Sequence, residues 1–159
     1  MAIIGIVAVD RAGAIGKGGS LPWRYPADMK FFRERTTGHA VLMGHKTWLT
    51  LKAPLKGRLN IVLTRRAEPE PRESVVWLRD SESALALARY LKCDLFVIGG
   101  AQIFEAFARA IDRWLVTEIP ETVEGADTFM PPGFLTGFEP YDSRVLEPEL
   151  KVTFYRRSG

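Results

Sequence analysis

Residues 21–36 read Leu-Pro-Trp-Arg-Tyr-Pro-Ala-Asp-Met-Lys-Phe-Phe-Arg-Glu-Arg-Thr, and the rest of the chain is organised around this stretch. Two prolines bracket its start, and the second suits the first turn of a helix because proline holds φ near the helical value. From Ala27 onward the spacing predicts a helix with one face formed by Asp28, Phe31, Phe32 and Arg35. A carboxylate is therefore expected beside two phenyl rings at the start of a helix.

Asp28 has two interpretations on these residues alone. Burial beside aromatic rings disfavours the charged form, so the carboxyl group of a functional acid here would have a raised pKa. The commoner role of an aspartate in a first helical turn is to pair with the free N–H groups and the helix dipole. Both interpretations stay open until other parts of the chain are considered.

The composition is that of an ordinary soluble globular protein, with 47% hydrophobic and 26% charged residues among 159. We expect a single domain covering residues 1–159. The net charge of +3 is spread along the chain and forms no basic stripe for nucleic acid. The sequence shows no apolar run of membrane-spanning length and no export leader, and Cys93 is its single cysteine. We therefore expect a cytoplasmic protein that contacts no membrane. His39 and His45 have no ligand cluster around them, so no metal is expected.

Short apolar runs alternate with helical patterns along the chain, which predicts an α/β domain. The first run, Ile3–Val9, is continuous and typical of a strand buried on both faces. Further strands are predicted at 40–43, 59–64, 75–78, 94–98, 111–119, 139–145 and 150–156, and helices at 27–36, 45–51, 81–91 (with a serine cap) and 99–108. The expected architecture is a central mixed, mainly parallel sheet of about eight strands, with about four flanking helices and an antiparallel C-terminal edge.

Residues 10–20 form a loop with four glycines between the first strand and the opening stretch. Glycines in such a place usually make a flexible connection. Ile15 and Leu21 are unusual in a merely solvated loop, and they favour a lid that closes over a site and excludes water.

Two predicted strands are followed by glycine and then by a helix. Gly44 to Thr47 follows the strand at 40–43, and Gly99-Gly100 follows the strand at 94–98. Free N–H groups at a helix start bind anions, glycine lets a ligand approach the backbone, and Lys46 adds charge. The alternative for each is an ordinary strand-to-helix turn, and neither has the Gly-x-Gly-x-x-Gly pattern.

Cations stand at both ends of the strand predicted at 59–64. The planar guanidinium of Arg58 suits a carboxylate bidentately, and Thr64-Arg65-Arg66 suits a phosphate. A solvated position without a binding role is the commoner explanation for both groups.

Six motifs taken in order resemble those of the dihydrofolate reductase family, of the bacterial type, across essentially the whole chain. They are Asp-Arg-x-Gly-x-Ile-Gly (10–16), Leu-Pro-Trp with Pro-Ala-Asp (21–28), Met-Gly-His-Lys-Thr-Trp (43–48), Pro-Leu-x-Gly-Arg (54–58), Val-Ile-Gly-Gly-Ala-Gln-Ile-Phe (97–104) and Glu-Gly-Ala-Asp-Thr-Phe (124–129). Each motif is weak alone, whereas the ordered set is very specific. The resemblance reverses the balance for Asp28 in favour of a functional acid.

The resemblance implies an NADPH-dependent oxidoreductase of one-carbon and thymidylate metabolism, in the class that antifolates such as trimethoprim inhibit. The reaction would convert 7,8-dihydrofolate to 5,6,7,8-tetrahydrofolate by hydride transfer to C6 with protonation of N5. Asp28 would bind the pterin, because a carboxylate accepts from a ring N–H and an exocyclic amine side by side. It would support protonation of N5 through water. Thr117 would hydrogen-bond Asp28, Trp23 would hold water, and Leu21 would lie in the lid.

The resemblance also assigns the rest of the pocket. The backbone carbonyls of Ile6 and Ile98 would meet the pterin, and Arg58 would bind the α-carboxylate of the glutamate tail. The other substrate contacts would be Phe32, Leu51, Leu55 and Phe104. The cofactor-binding residues would be Ala8, Ile15, Gly16, Gly44, His45, Lys46, Thr47, Leu63, Thr64, Arg65, Gly99, Gly100, Ala101, Gln102 and Ile103. Of these, Lys46, Thr64 and Arg65 would meet the 2′-phosphate, which favours NADPH over NADH.

Four positions depart from a common bacterial pattern. Phe104 stands where tyrosine is frequent, and Ala53 stands where an arginine often lies near the glutamate tail, with Lys52 beside it. His45 and Gln102 stand where arginines often meet cofactor phosphates. These differences concern the strength of binding rather than the activity.

Two other functions compete with this interpretation. A pyrimidine reductase of riboflavin synthesis shares the fold, but its substrate has neither a pterin edge for Asp28 nor a glutamate tail for Arg58. A catalytically idle NADPH- or folate-binding protein would not need an Asp28–Thr117 pair. From the length we expect no fused thymidylate synthase, and from the lack of a spare apolar face we expect a monomer.

Overall fold

The computed structural model describes residues 1–19, 21–65 and 71–159. The elements in these ranges are β1 (Ile3–Val9), β2 (Ala14–Gly16), α1 (Pro26–Thr36), β3 (Ala40–Gly44), α2 (His45–Thr50), β4 (Leu59–Leu63), β5 (Val75–Leu78), α3 (Ser81–Ala88), β6 (Leu95–Gly99), α4 (Ala101–Ala106), β7 (Arg113–Glu118), β8 (Thr128–Phe129), β9 (Phe138–Glu147) and β10 (Leu150–Arg157). The prediction for Arg66 lies outside the described residues. None of the helices in these ranges has the length and apolar composition needed to span a membrane.

Eight strands form one sheet in the order β5-β4-β3-β6-β1-β7-β10-β9. The six strands β5, β4, β3, β6, β1 and β7 are parallel to one another, whereas β10 runs antiparallel to both β7 and β9. β1 lies between β6 and β7, as expected for a continuous apolar run. The predicted α/β architecture, with its antiparallel C-terminal edge, is confirmed.

The sheet separates two apolar layers, because alternate side chains of a strand point to opposite faces. One layer, the α1/α2 face, contains Ile4, Ile6, Phe31, Met43, Phe96 and Leu115. The other layer, the α3/α4 face, contains Leu42, Ala84, Val97, Phe104, Phe107 and Trp114. Gly5 allows Trp114 to pack directly on β1, since a Cβ at Gly5 would lie 2.5 Å from the indole ring.

Two local features differ from the sequence predictions. The cap of α3 is Asp80 rather than a serine, and its Oδ1 accepts a 2.8 Å hydrogen bond from the N–H of Ser83. The predicted serine cap is wrong by one residue, because the aspartate side chain reaches the free N–H inside the first turn. The glycine-rich loop also contains a strand, since β2 pairs with β8 in a small separate sheet.

Candidate active site

Asp28 lies in the first turn of α1 and faces Thr117 of β7. The hydroxyl of Thr117 donates a 2.7 Å hydrogen bond to Oδ1 of Asp28. Thr117 points to the α1/α2 face because it follows the buried Leu115 by two positions on the strand. Only 3% of Thr117 is exposed, so its hydroxyl is held in place beside the acid.

The carboxyl group of Asp28 has a perturbed pKa. Burial raises this pKa above its ordinary value, and the hydrogen bond from Thr117 offsets part of the increase. The acid therefore keeps a protonated fraction at a higher pH than an exposed aspartate does, which suits a group that supports proton transfer.

Three strands bring apolar residues to the same face as Asp28. Ala8 of β1 pairs with Thr117, and Ile6 pairs with Leu115. On the other side of β1, the register of Gly5 with Val97 places Ile6 level with Ile98. Further side chains that pack on this face are Phe32, Leu51, Leu55 and Ile98. An apolar wall thus surrounds one acid, which is typical of a site for a flat ligand with one polar edge.

Trp23, five positions before Asp28 in the chain, carries a buried polar group. Its indole Nε1 is buried and has no hydrogen-bond acceptor among the described residues. A buried indole N–H normally finds a partner. Among the described residues the buried indole N–H groups of Trp77 and Trp114 lack an acceptor as well, so the water-holding role of Trp23 stays a prediction.

Phe104 lies apart from this group. It is buried in the α3/α4 face, with its ring 5.4 Å from that of Trp114 and close against Gly99. The helix that carries it, α4, packs on the opposite side of the sheet from α1. Its assignment to substrate binding gains no support from this packing.

Arg58 lies near the other end of α1. Its Nη1 donates to Oγ1 of Thr36 at 3.0 Å, and its Nε donates to the carbonyl of Lys56 at 2.9 Å. Burial lowers the pKa of Arg58, and the neighbouring charge of Arg33 lowers it further. The guanidinium remains charged and has further N–H donors for an anion. Asp28 and Thr36 are separated by about 12 Å along the helix, so an elongated ligand can reach from the acid to Arg58.

The two glycine turns lie side by side. Met43 pairs with Gly99, so the starts of α2 and α4 share one edge of the sheet. Neither Gly44 nor Gly100 provides a side-chain cap, so no cap occupies the first N–H groups of the two helices, although that of Ile103 donates to the carbonyl of Gly100 at 3.0 Å. A Cβ at Gly44 would lie 2.9 Å from Cγ1 of Ile103, so glycine permits the close packing of the two turns. The peptide bond between Gly99 and Gly100 is cis.

Cationic groups flank the first of these turns. Leu63 of β4 pairs with Gly44, which brings the following Thr64 and Arg65 to the same edge of the sheet. Thr64 is buried, whereas Arg65 and Lys46 are exposed. The edge thus combines helix N–H groups with two cations, and this set suits a ligand carrying several phosphates.

The glycine-rich loop is attached to the loop after β7, a contact that the sequence reasoning missed. Oδ2 of Asp127 accepts a 2.8 Å hydrogen bond from the N–H of Gly18, and the N–H of Asp127 donates to the carbonyl of Gly16 at 3.1 Å. Asp10 accepts hydrogen bonds from Ala12, Ala14 and Val123, each at 2.8 Å. The signal available in the sequence was an aspartate in each of two motifs, Asp10 in 10–16 and Asp127 in 124–129, since short acidic side chains often bind nearby backbone N–H groups.

The two histidines lie in different parts of the fold, and only His45 is at the edge formed by the glycine turns. Nδ1 of His39 accepts the N–H of Asp94 at 2.9 Å, and its ring packs edge-on against Phe96. His45 begins α2 and is half-buried. The described part of the chain holds no group of three or more His, Cys, Asp or Glu residues placed to bind a metal ion.

Comparison with known proteins gives the family of this fold and site. The family described as "Dihydrofolate reductase" matches residues 2–153. Dihydrofolate reductase of Haemophilus influenzae is 38% identical over 79% of this chain and 76% of that protein. The bifunctional dihydrofolate reductase-thymidylate synthase of Glycine max is 38% identical over 94% of this chain, which spans 32% of that protein.

A solved structure agrees in both fold and length. Dihydrofolate reductase from Enterococcus faecalis, complexed with NADP(H) and RAB-propyl, has a TM-score of 0.90 and 32% sequence identity. The match covers 99% of this chain and 97% of that one. With the motifs in order, the family matched over residues 2–153 and the fold shared with a solved dihydrofolate reductase, this chain belongs to the dihydrofolate reductase family of oxidoreductases.

Proposed function

We propose that this protein reduces 7,8-dihydrofolate to 5,6,7,8-tetrahydrofolate with NADPH, by hydride transfer to C6 and protonation of N5. The observation that carries the proposal is the Asp28–Thr117 hydrogen bond beside an apolar wall. An acceptor-only carboxylate suits the adjacent N–H groups of a pterin, and a raised pKa suits an acid that supports proton transfer.

Substrate binding would extend from Asp28 along α1. Phe32 lies one turn beyond Asp28 on the same helix face, where its ring would contact the pterin and the aminobenzoyl group. Arg58, hydrogen-bonded to Thr36 a further turn along, would bind the α-carboxylate of the glutamate tail. The backbone carbonyls of Ile6 and Ile98 would complete the contacts with the pterin.

The glycine turns would hold NADPH, which supplies the hydride when it is bound. Two uncapped helix starts on one edge of the sheet supply N–H donors for the pyrophosphate. Lys46, Thr64 and Arg65 would bind the 2′-phosphate, and Ala8, Ile15 and Gly16 would line the nicotinamide. The same turns would be completed by His45, Thr47, Ala101, Gln102 and Ile103.

The remaining groups would control water and the proton. Thr117 would orient the carboxylate of Asp28, and the N–H of Trp23 would hold the water that carries a proton toward N5. Leu21, which is 62% exposed, would cover the site from the lid and exclude bulk water. We further propose a cytoplasmic monomer with one domain over residues 1–159, acting without a nucleic acid or membrane partner.

The decisive experiment is to follow NADPH absorbance with dihydrofolate for the wild type and Asp28→Asn. We expect steady turnover by the wild type, faster with NADPH than with NADH. Asp28→Asn should lose at least about 100-fold in rate, the scale of general acid–base catalysis. The loss should be smaller at low pH, where solvent can protonate N5 directly. Asp142→Asn, an exposed acid on β9, serves as the control.

Two results would contradict the proposal. A wild type that binds NADPH but never oxidises it with dihydrofolate would exclude the reductase activity and favour an idle binder. Oxidation with a pyrimidine substrate instead would favour the riboflavin-type reductase.

A further inference from the structure

Tyr25 and Glu121 form a contact that the proposed reaction does not use. Tyr25 immediately precedes α1, and its hydroxyl donates a hydrogen bond to Oε2 of Glu121 in the loop after β7. This hydrogen bond, together with burial, raises the pKa of the Tyr25 hydroxyl to about 12. The phenol therefore keeps its proton, and remains a donor, throughout the neutral range.

Glu121 also binds the start of the glycine-rich loop. Its carbonyl accepts the N–H of Arg11 at 3.0 Å, and its own N–H donates to the carbonyl of Ile119 at 2.9 Å. Ile119 in turn donates to the carbonyl of Val9 at 2.8 Å. One residue thus contacts both ends of segment 11–25, with its backbone at Arg11 and its side chain at Tyr25.

The same contact lies next to the catalytic pair. The carbonyl of Tyr25 accepts the N–H of Asp28 at 3.0 Å, and Glu121 follows Thr117 by four positions. The start of α1 is therefore joined to the exit of β7 by two side-chain hydrogen bonds, Asp28 with Thr117 and Tyr25 with Glu121. No side chain caps α1, and the N–H groups of Asp28 and Met29 both donate to the carbonyl of Tyr25, so the position of Tyr25 affects where the first turn lies.

We propose that the Tyr25–Glu121 pair, here called the clasp, joins the two ends of the segment whose described residues are 11–19 and 21–25, and positions Asp28 for the reaction. The inference rests on the proposed dihydrofolate reductase activity. Tyr25 and Glu121 are positioning residues: a rigid phenol ring with few rotatable bonds, bound to a carboxylate, fixes where the lid ends and where the helix begins. Because Glu121 is exposed, the clasp should contribute little to the free energy of unfolding, and its main effect should be on the position of the helix start.

The test compares Tyr25→Phe, Glu121→Ala and the double variant in single-turnover oxidation of NADPH with dihydrofolate. Each single variant should lose roughly tenfold in rate, and the double variant should lose no more, because both changes remove one shared contact. The dissociation constant for NADPH should change less than the rate, since the glycine turns proposed to hold its phosphates lie on other strands and only Ile15 and Gly16 belong to the segment. Glu121→Gln, which keeps an acceptor, should recover part of the rate. Tyr90→Phe and Glu82→Gln, at exposed positions on or near α3, are the controls.

Amide hydrogen exchange separates this inference from the proposed activity. Exchange at Arg11 and Asp28 should become faster in both single variants, whether or not the protein reduces dihydrofolate. If the wild type shows no turnover while both single variants show this faster exchange, the proposed function is rejected, and the clasp remains a structural contact without a role in positioning Asp28 for the reaction. The inference would be overturned if Tyr25→Phe and Glu121→Ala kept the wild-type rate. It would also be overturned if the fold-loss in the double variant equalled the product of the two single losses. An equal loss in Glu121→Gln and Glu121→Ala would overturn it as well.

Discussion

The hydroxyl of Thr117 lies 2.7 Å from Oδ1 of Asp28, although the two residues are 89 positions apart in the sequence. Burial raises the pKa of Asp28, and the hydrogen bond from Thr117 lowers it, so the two effects oppose each other. Thr117 therefore both orients the carboxylate and limits how far its pKa rises.

Replacing Thr117 by valine should test this relationship. Thr117→Val keeps the shape but removes the donor, so the pKa of Asp28 should rise further and the pH dependence of single turnover should move to higher pH. The lost orientation should lower the rate at neutral pH by roughly tenfold. Thr153→Val is a matched control, because Thr153 is also buried and donates to a carboxylate, Glu118, at 3.0 Å. Equal effects of the two substitutions would contradict a specific role for Thr117.

Asp28→Asn should stabilise the protein at neutral pH while it removes activity. The folded-state pKa of Asp28 is raised, so the folded state binds more protons than the unfolded state between the two pKa values. Stability is then greatest below the unfolded value, about 3.9, and falls as pH rises through the folded one. Urea unfolding should show a higher midpoint for Asp28→Asn at neutral pH, and a smaller difference from the wild type in acid. A lower midpoint at neutral pH would show that the ionised carboxylate of Asp28 does not destabilise the folded protein.

Asp127→Ala should uncouple the lid from the loop after β7. The N–H of Gly18 is the main cause that lowers the pKa of Asp127, so this acid stays ionised at neutral pH. The contact should weaken only as pH falls through that lowered value. We expect roughly tenfold slower single turnover at neutral pH, the scale of one hydrogen bond to a charged group. The exposed Asp142→Ala is the control, and equal rates in the two variants would exclude a role for the lid contact.

Arg58→Lys should weaken binding of the glutamate tail alone. Lysine keeps the charge but loses the planar donors that bind Thr36, the carbonyl of Lys56 and a carboxylate together. KM for dihydrofolate should rise roughly tenfold. Dihydropteroate, which lacks the glutamate, should show the same KM with both proteins. An equal increase for both substrates would place Arg58 elsewhere in the site.

The position of the two glycine turns at one edge of the sheet followed from local patterns, and their binding of phosphates is a proposal. Gly44 and Gly99-Gly100 each stand between an apolar run and a helix, so the sequence places them at the carboxyl ends of parallel strands. Short elements lacked such a pattern: β2 and β8 have three and two residues, too few for periodicity to indicate a strand. Phe104 lies in a motif that matches the family, yet only the packing of α4 shows which face of the sheet it enters.

The sequence by itself determined the alternation of strands and helices, the antiparallel edge and the acid at the start of α1, because hydrophobic period and turn residues act over a few neighbouring positions. Only the tertiary structure decided two contacts between distant groups, Gly18 with Asp127 and Tyr25 with Glu121. The pair Thr117–Asp28 was expected from the family resemblance and not from any local pattern, and the structure places its two oxygens 2.7 Å apart. Such contacts depend on strand order and loop packing, which bring together side chains that no local pattern relates.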